Sequence, residues 1–369
     1  MSDARAYAVV TGGGTSGHVL PALAIADALV AAGHGADSIH FVGTQRGVET
    51  RLVPAAGYPH TFLDVVGLQR SLSRRNLAFL PRLVRATRAA RRLLRELQPK
   101  VVVNVGGYGS FPATWAARRL GIPYVVVSYD RRPGQVSKLM AKRAAACAVA
   151  FEGSSLPHAE LTGAPVRGEI IAVDRGSQRE AARAALDLPA DRFVVAVMCG
   201  SLGAEAVNRA VTEAVERLAD RRDLAVHHVV GQRFLDAAAP ARDGSSGILY
   251  RVIGYEDRMA QLYAAADLMV TRAGAGTIAE LATVGMPALV VPWPGAAENH
   301  QVDNAKVLSD QGAAVLVEQP SFTVDRLVAE IDGFLAHPER LAELGRRARD
   351  AGAIHRSGKL VALVQRVAA

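Results

Sequence analysis

One pattern occurs twice in this chain and constrains it most: a short run of β-branched and other apolar residues, a glycine-containing turn, then a helical stretch. Residues 7–11 (YAVVT) lead through Gly12, Gly13 and Gly14 into a helical run at 21–32. Residues 193–198 (FVVAVM) lead through Gly200 and Gly203 into a helix reaching Leu218. Similar apolar runs at 38–43, 100–105 and 124–128, and again at 224–230, 268–271 and 288–291, alternate with helical stretches. Continuous apolar strands are buried on both faces, and strands joined by helices build a parallel sheet covered on both sides. Domains usually span about 100–200 residues, so 369 residues call for two. The expected architecture is α/β: two Rossmann-like, doubly wound domains facing a cleft. The break falls near Leu161-Thr162-Gly163-Ala164-Pro165, giving domains at 1–165 and 166–344, with an Arg-rich helical tail at 345–369 expected to pack back on the first.

Composition removes several function classes. Half the residues are hydrophobic and 21% are charged, a globular balance rather than a disordered one. Two cysteines, Cys147 and Cys199, cannot build a disulfide framework or a four-cysteine metal site, and their apolar neighbours predict buried thiols suited to a reducing cytoplasm. The most apolar long stretch, 281–297, is broken by Pro287, Pro292 and Pro294, so no membrane span is expected. The opening apolar segment is cut by three glycines and His18, unlike a secretory signal.

The net charge of +8 is concentrated in one segment. Between Arg70 and Lys100 stand nine Arg and one Lys against the single acid Glu96, with Leu72, Leu77, Phe79, Leu80, Leu83, Leu93 and Leu94 interleaved. The remainder of the chain is close to neutral. A helix with an apolar face and an Arg-rich face suits a membrane interface, where each basic residue contributes roughly 1 kcal/mol against anionic lipid. A solvated helix packing its leucines inward is the plain alternative. Nucleic acid is disfavoured, because Phe79 is the only aromatic residue there able to stack on a base.

Five segments carry chemistry. The first, Thr11-Gly12-Gly13-Gly14-Thr15-Ser16-Gly17-His18, combines glycines that let backbone N–H groups approach an anion with a helix N-terminus behind them. It also fits a dinucleotide fingerprint, but the acid expected about 20 residues on is replaced by Gln45 and Arg46, which leaves only an NADP enzyme in contention. His18 stands at the loop tip. The second segment is Gly106-Gly107-Tyr108-Gly109-Ser110, and the third is Cys199-Gly200-Ser201-Leu202-Gly203-Ala204. The fourth runs from Thr271 through Ala275, Gly276 and Thr277 to Glu280, whose carboxylate could accept two hydrogen bonds from a ribose diol or complement a helix dipole. The fifth is Glu298-Asn299-His300-Gln301 with Asn304, a polar cluster able to read sugar hydroxyls or to form an exposed helix start.

In this order and spacing, TGGGTSGHVLPALAIADAL, GGYGSFPA, GSLGAEAVN, RAGAGTIAELATVGMPALVVP and ENHQVDNAK resemble the MurG family. These are the UDP-N-acetylglucosamine:undecaprenyl-pyrophosphoryl-MurNAc-pentapeptide transferases of peptidoglycan synthesis. The resemblance covers nearly the whole chain. It implies a GT-B fold, UDP-GlcNAc as donor, the undecaprenyl-linked lipid I as acceptor, inversion at the anomeric carbon, and no catalytic metal or other cofactor. It implies a peripheral enzyme on the cytoplasmic face of an anionic membrane, with Leu72, Phe79, Leu80, Arg82, Arg85, Arg88 and Arg92 as the docking element. By similarity, Ser201, Gly203, Ala275, Gly276 and Thr277 lie near the donor phosphates or uridine, Glu280 holds the ribose, and Gln301 contacts GlcNAc beside His300 and Asn304. Arg167 matches a donor-site Arg. Thr15, Ser16, Gly17 and His18 line the catalytic side, with His18 as candidate base.

The chain departs from the family pattern at Ser128-Tyr129-Asp130-Arg131-Arg132-Pro133-Gly134, where His-Glu-Gln-Asn ordinarily precedes Pro-Gly. The sugar-contacting Asn then falls at Arg131, and a Gln of the third loop is Leu202. These exchanges leave open a related GT-B transferase with another donor or acceptor.

Overall fold

The computed structural model describes residues 6–67, 79–200, 203–296 and 299–369. The chain divides into two compact units, Met1–Gly168 with Ile354–Ala369, and Glu169–Ala353.

The first unit runs β1 (Ala8–Thr11), α1 (Ser16–Ala31), β2 (Ile39–Thr44), α2 (Glu49–Ala55), β3 (His60–Leu63), α3 (Phe79–Leu97), β4 (Val101–Asn104), α4 (Phe111–Leu120), β5 (Tyr124–Ser128), α5 (Gln135–Ala141), β6 (Ala146–Val149) and β7 (Ala159–Leu161). Its seven strands stand in the order β3-β2-β1-β4-β5-β6-β7, every pairing parallel. Strands β1, β4 and β5 are buried throughout, as their β-branched sequences predict, and β6 is equally buried. Helix α1 begins at Ser16, five residues before the expected run at 21, and therefore carries Pro21 inside it. The edge strands β3 and β7, and the Ala-rich inner strand β6, lack a β-branched run and are not evident from sequence.

In the second unit, after the single-turn α6 (Gly168–Ile171), come α7 (Arg175–Ala185), β8 (Phe193–Met198), α8 (Glu205–Arg217), β9 (Leu224–Val229), β10 (Arg242–Asp243), β11 (Leu249–Ile253), α9 (Met259–Ala265), β12 (Leu268–Thr271), α10 (Ala275–Val284), β13 (Ala288–Val290), α11 (His300–Ser309), β14 (Val315–Leu316), α12 (Val324–Ala336) and α13 (Pro338–Ala351). The strand order is β10-β11-β9-β8-β12-β13-β14, with β10 antiparallel to β11 and the others parallel. Its core joins β8, β9 and β12 to one face of α8 (Val207, Val211, Ala214, Val215) and of α12 (Leu327, Ile331, Phe334). Asp267 closes the strand start: Arg179 and Arg183 reach it at 2.5 and 2.8 Å, and the Val194 N–H donates to it at 2.8 Å.

The last helix, α14 (Lys359–Ala368), belongs to the first unit. His355 anchors this return segment by accepting the Ala164 N–H at its Nδ1, 3.0 Å away. A side chain at Gly163, where φ is +83°, would meet the Ile354 carbonyl oxygen at 2.6 Å, so the crossing requires glycine. Both thiols are buried, and burial pushes Cys147 up to about 11 and Cys199 up to about 12.

In each sheet one strand pair marks the reversal of strand order: β1 and β4 in the first unit, β8 and β12 in the second. Ligands of open α/β sheets bind beyond the carboxyl ends of the strands at this point. The four glycine-containing turns follow these four strands.

Candidate active site

In the first unit, Thr11 and Asn104 are register partners at the ends of β1 and β4, so the two glycine turns leave the sheet side by side. They touch closely. A Cβ on Gly107 would lie 2.6 Å from the Gly13 carbonyl oxygen, and one on Gly109 would lie 2.7 Å from Thr44 Cγ2. Gly106 and Gly107 both adopt positive φ, +91° and +76°. The Gly106 N–H donates to Asn104 Oδ1 at 2.8 Å, and the Asn104 amide donates to Thr114 Oγ1 at 2.8 Å. A fully buried polar pair thus sets the second turn on the first turn of α4.

His18 stands in the opening turn of α1, half-buried. Its Nδ1 meets Thr15 Oγ1 at 3.2 Å, so the Thr15 hydroxyl engages the imidazole instead of capping the helix. The ring lies against the second turn: a Cβ at Gly106 would sit 3.4 Å from Nε2. Burial lowers the imidazole pKa from its ordinary value, while Asp130 and Glu49 oppose that change. A neutral imidazole with one nitrogen hydrogen-bonded can take a proton at the other.

Pro21 explains a second contact. It has no N–H to offer the Gly17 carbonyl four residues earlier, and the Tyr129 hydroxyl donates to that carbonyl instead. Burial raises the Tyr129 phenol far above its ordinary value, which keeps it a donor. A cavity of about 280 Å³ opens here, lined by His18, Gly107, Ser128, Tyr129, Asp130 and Ser137 among others. Asp130 lines it, whereas its neighbour Arg131 is exposed.

In the second unit, the third turn packs Gly203, with φ +66°, against the end of β9, where a Cβ would meet the Val230 carbonyl oxygen at 1.9 Å. That carbonyl accepts from Asn208 Nδ2 at 2.8 Å, and Asn208 Oδ1 meets His228 Nε2 at 3.1 Å. Ser201 and Leu202 lie outside the described residues. The fourth turn delivers Ala275, Gly276 and Thr277 as the first turn of α10, with neither a side-chain cap nor an acid in that turn. Uncapped helix N-termini offer backbone donors and a positive dipole end to an anion. Glu280 is one turn further along, half-buried, accepting from the Tyr263 hydroxyl at 2.9 Å.

Gln301 and Asn304 both brace this turn. Gln301 Oε1 accepts the Ala273 N–H at 3.3 Å and the Trp293 N–H at 2.9 Å, so its carbonyl faces the backbone. Asn304 is fully buried and donates to the Ala273 carbonyl at 3.2 Å. His300 is half-buried at the start of α11. Arg167 is half-buried just before the division between units.

Residues 8–149 match the glycosyltransferase family 28 N-terminal domain, and residues 194–358 match its C-terminal domain. The UDP-N-acetylglucosamine–N-acetylmuramyl-(pentapeptide) pyrophosphoryl-undecaprenol N-acetylglucosamine transferase of Clavibacter michiganensis is 39% identical, over 97% of this chain and 95% of its own. The protein of the same name from Acidothermus cellulolyticus is also 39% identical, over 98% of each chain. Crystalline MurG from Acinetobacter baumannii superposes with a TM-score of 0.74 at 28% identity, covering 98% of this chain and 99% of its own. The chain belongs to the MurG family. It is a glycosyltransferase with the GT-B fold, and the dinucleotide oxidoreductase left open by the first glycine loop is set aside.

Set against the positions that MurG resemblance singles out, the structure gathers Thr15, Gly17 and His18 at one switch point, and Gly203, Ala275, Gly276, Thr277 and Glu280 on turns at the other. Ser16 opens α1, but its side chain lies outside the described residues, as does Leu72 entirely. Two residues that sequence reasoning passed over stand at the switch point of the first unit: Asp130 in the cavity and Glu49 beneath the first loop. Asp130 was marked only as part of the departing segment. Glu49 gave no signal beyond being an acid at a helix start.

Proposed function

We propose that this protein transfers GlcNAc from UDP-GlcNAc to the MurNAc C4 hydroxyl of undecaprenyl-pyrophosphoryl-MurNAc-pentapeptide, with inversion. The observation that carries the reading is full-length similarity to transferases bearing that name, at 39% identity. The site geometry agrees with it. Turns after β8 and β12 present uncapped helix N-termini to the UDP phosphates, Glu280 takes the ribose hydroxyls, and Arg167 adds a cation. With its carbonyl committed to backbone, Gln301 offers its amide N–H groups to the sugar.

The acceptor alcohol gives its proton to Nε2 of His18 as its oxygen bonds to the anomeric carbon. The bond from that carbon to the phosphate oxygen breaks, and its electron pair leaves with UDP. Fixed N–H donors and a helix dipole stabilise the charge that grows on the diphosphate. Thr15, Ser16 and Gly17 line the acceptor approach.

A lipid acceptor requires contact with a bilayer, and α3 is the element suited to it. Ala86, Ala90 and Leu94 are buried along one face, while Arg85, Arg88 and Arg92 are exposed with Leu80 at 65% and Val84 at 41%. Arg82 is half-buried and pairs with Asp64 at 3.7 Å. This helix docks on the cytoplasmic leaflet through arginine and leucine. Among the described residues no helix is long and apolar enough to cross a membrane.

Incubation with UDP-GlcNAc and a short-chain analogue of the lipid acceptor tests the reading by UDP release. No release above background refutes it. A second reading, another nucleotide sugar on a related acceptor, is favoured by Tyr129, Asp130 and Arg131 standing in the departing segment, and a donor panel distinguishes it.

A further inference from the structure

The first glycine turn contains an anion already, and it is internal. Glu49, at the first position of α2, is 1% exposed and reaches back under the turn. Its Oε1 accepts the Gly14 N–H at 3.0 Å, the Thr44 N–H at 2.9 Å and the Thr44 hydroxyl at 2.7 Å. Its Oε2 shares the Gly14 N–H at 3.1 Å. Three glycines from three segments wall the carboxylate. A Cβ on Gly13 would lie 2.4 Å from Oε1, one on Gly47 1.8 Å from Oε2, and one on Gly43 2.9 Å from the Glu49 Cγ. Among these contacts every partner is a donor, the arrangement that suits a carboxylate rather than an amide or an acid.

The consequence runs along the chain. Gly14, with φ +97°, is the pivot from β1 into α1, and Thr15 and His18 follow within four residues. Whatever fixes the Gly14 N–H fixes the entry to α1 and the placement of the imidazole. A phosphate cradle uses its glycine N–H groups on the ligand; here that N–H is spent on a side chain 35 residues away.

We propose that Glu49 is a positioning residue for His18: its carboxylate takes the place of a bound phosphate in the first glycine turn and thereby aims the base at the acceptor alcohol. This rests on the assignment of His18 as base. The groups that face His18 are Thr15 from its own turn, Glu49 from α2, Tyr108 from the second turn, and Tyr129 and Asp130 from the segment after β5. Glu49 and Asp130 both favour the protonated imidazole. Removing either negative charge must therefore lower the His18 pKa further.

The test compares Glu49→Gln, Glu49→Ala and His18→Ala by steady-state kinetics with the soluble acceptor analogue, by UDP binding, and by the pH profile of kcat. In Glu49→Gln the amide oxygen can keep the three Oε1 contacts while the charge is lost. It is expected to remain folded, to bind UDP as the parent does, and to move the acid limb of the profile to lower pH. Glu49→Ala loses the contacts too, and its kcat is expected to fall about 10- to 100-fold, since a misplacement near 1 Å can cost two orders of magnitude, with UDP affinity held within twofold. An unmoved acid limb in Glu49→Gln overturns the proposal, as does parental kcat in Glu49→Ala. Should the alanine variant not fold, the glutamine profile decides alone. Parental turnover in His18→Ala overturns both this proposal and the base assignment; loss of turnover there with parental Glu49 variants sinks only the positioning role.

Discussion

Substituting Gly203 by alanine isolates the proposed donor loop. The residue sits at φ +66°, where a side chain costs about 1–2 kcal/mol. The larger effect is steric. The new Cβ would lie 1.9 Å from the Val230 carbonyl oxygen, whereas carbon and oxygen approach to only about 3.3 Å in ordinary contacts, so roughly 1.4 Å of movement is required. The carbonyl is held by Asn208, which is held in turn by His228. The loop must therefore move, carrying the N-terminus of α8 away from the phosphates. Displacement of that size predicts UDP affinity at least about tenfold weaker and kcat/KM about hundredfold lower. Gly200→Ala is the control, because φ is +80° there and, among the described residues, nothing lies within 4 Å of the added carbon. It carries the same backbone cost without the displacement. Gly200→Ala should lose roughly 2–8 °C in Tm by scanning fluorimetry and Gly203→Ala more, but by titration calorimetry Gly200→Ala should bind UDP within about threefold of the parent. Equal UDP dissociation constants for the two variants would show that the loop does not read the diphosphate.

Three further outcomes are expected. Glu280→Ala should weaken UDP binding about 10- to 100-fold, the worth of lost hydrogen bonds to a charged group, and should abolish discrimination between UDP and 2′-deoxy-UDP; retained discrimination refutes the ribose role. Reversing Arg85, Arg88 and Arg92 to glutamate should weaken binding to anionic vesicles at least about hundredfold, at roughly 1 kcal/mol for each basic residue lost and more for the repulsion added, without slowing turnover of a water-soluble acceptor; unaltered co-sedimentation refutes docking through α3. Burial holds His228 and His355 down to about 4 in the folded chain, against 6.5 ordinarily. The unfolded chain thus binds more protons between those values, so stability is fully present above pH 6.5 and falls as pH drops toward 4, by up to about 3 kcal/mol for each. Urea denaturation at pH 7.5, 6 and 5 measures this, and a midpoint independent of pH contradicts it.

Strands such as β5 and β8 were legible because their Val-rich runs, 124–128 and 193–198, are largely buried on both faces and need no partner to be recognised. The helices after them were legible for the same local reason, and so were the glycine turns, since only glycine tolerates φ values such as those of Gly106 and Gly203. Edge strands β3, β7 and β14 escaped notice because an edge buries less and its residues carry less pattern. Helix α1 was read five residues short because Pro21 marks a helix start in most sequences. Here Tyr129, over a hundred residues away, supplies the hydrogen bond that proline removes.

The same division runs through the site. Local chemistry named His18, Glu280 and the small-residue turn at Ala275, because each lies within a few residues of the glycine or strand that marks it. Asn304 and Gln301 were named for the sugar, yet both also hold the backbone around Ala273, a use visible only once α11 is packed beside that turn. Glu49 was invisible, since its meaning depends on β2 lying next to β1 and returning α2 beneath Gly14. Sequence alone determined which elements form and which turns must be glycine, because those are preferences of the chain with itself. The order of strands, and the internal carboxylate they bring under the first glycine turn, were decided by packing, because burial energy depends on which distant surfaces meet.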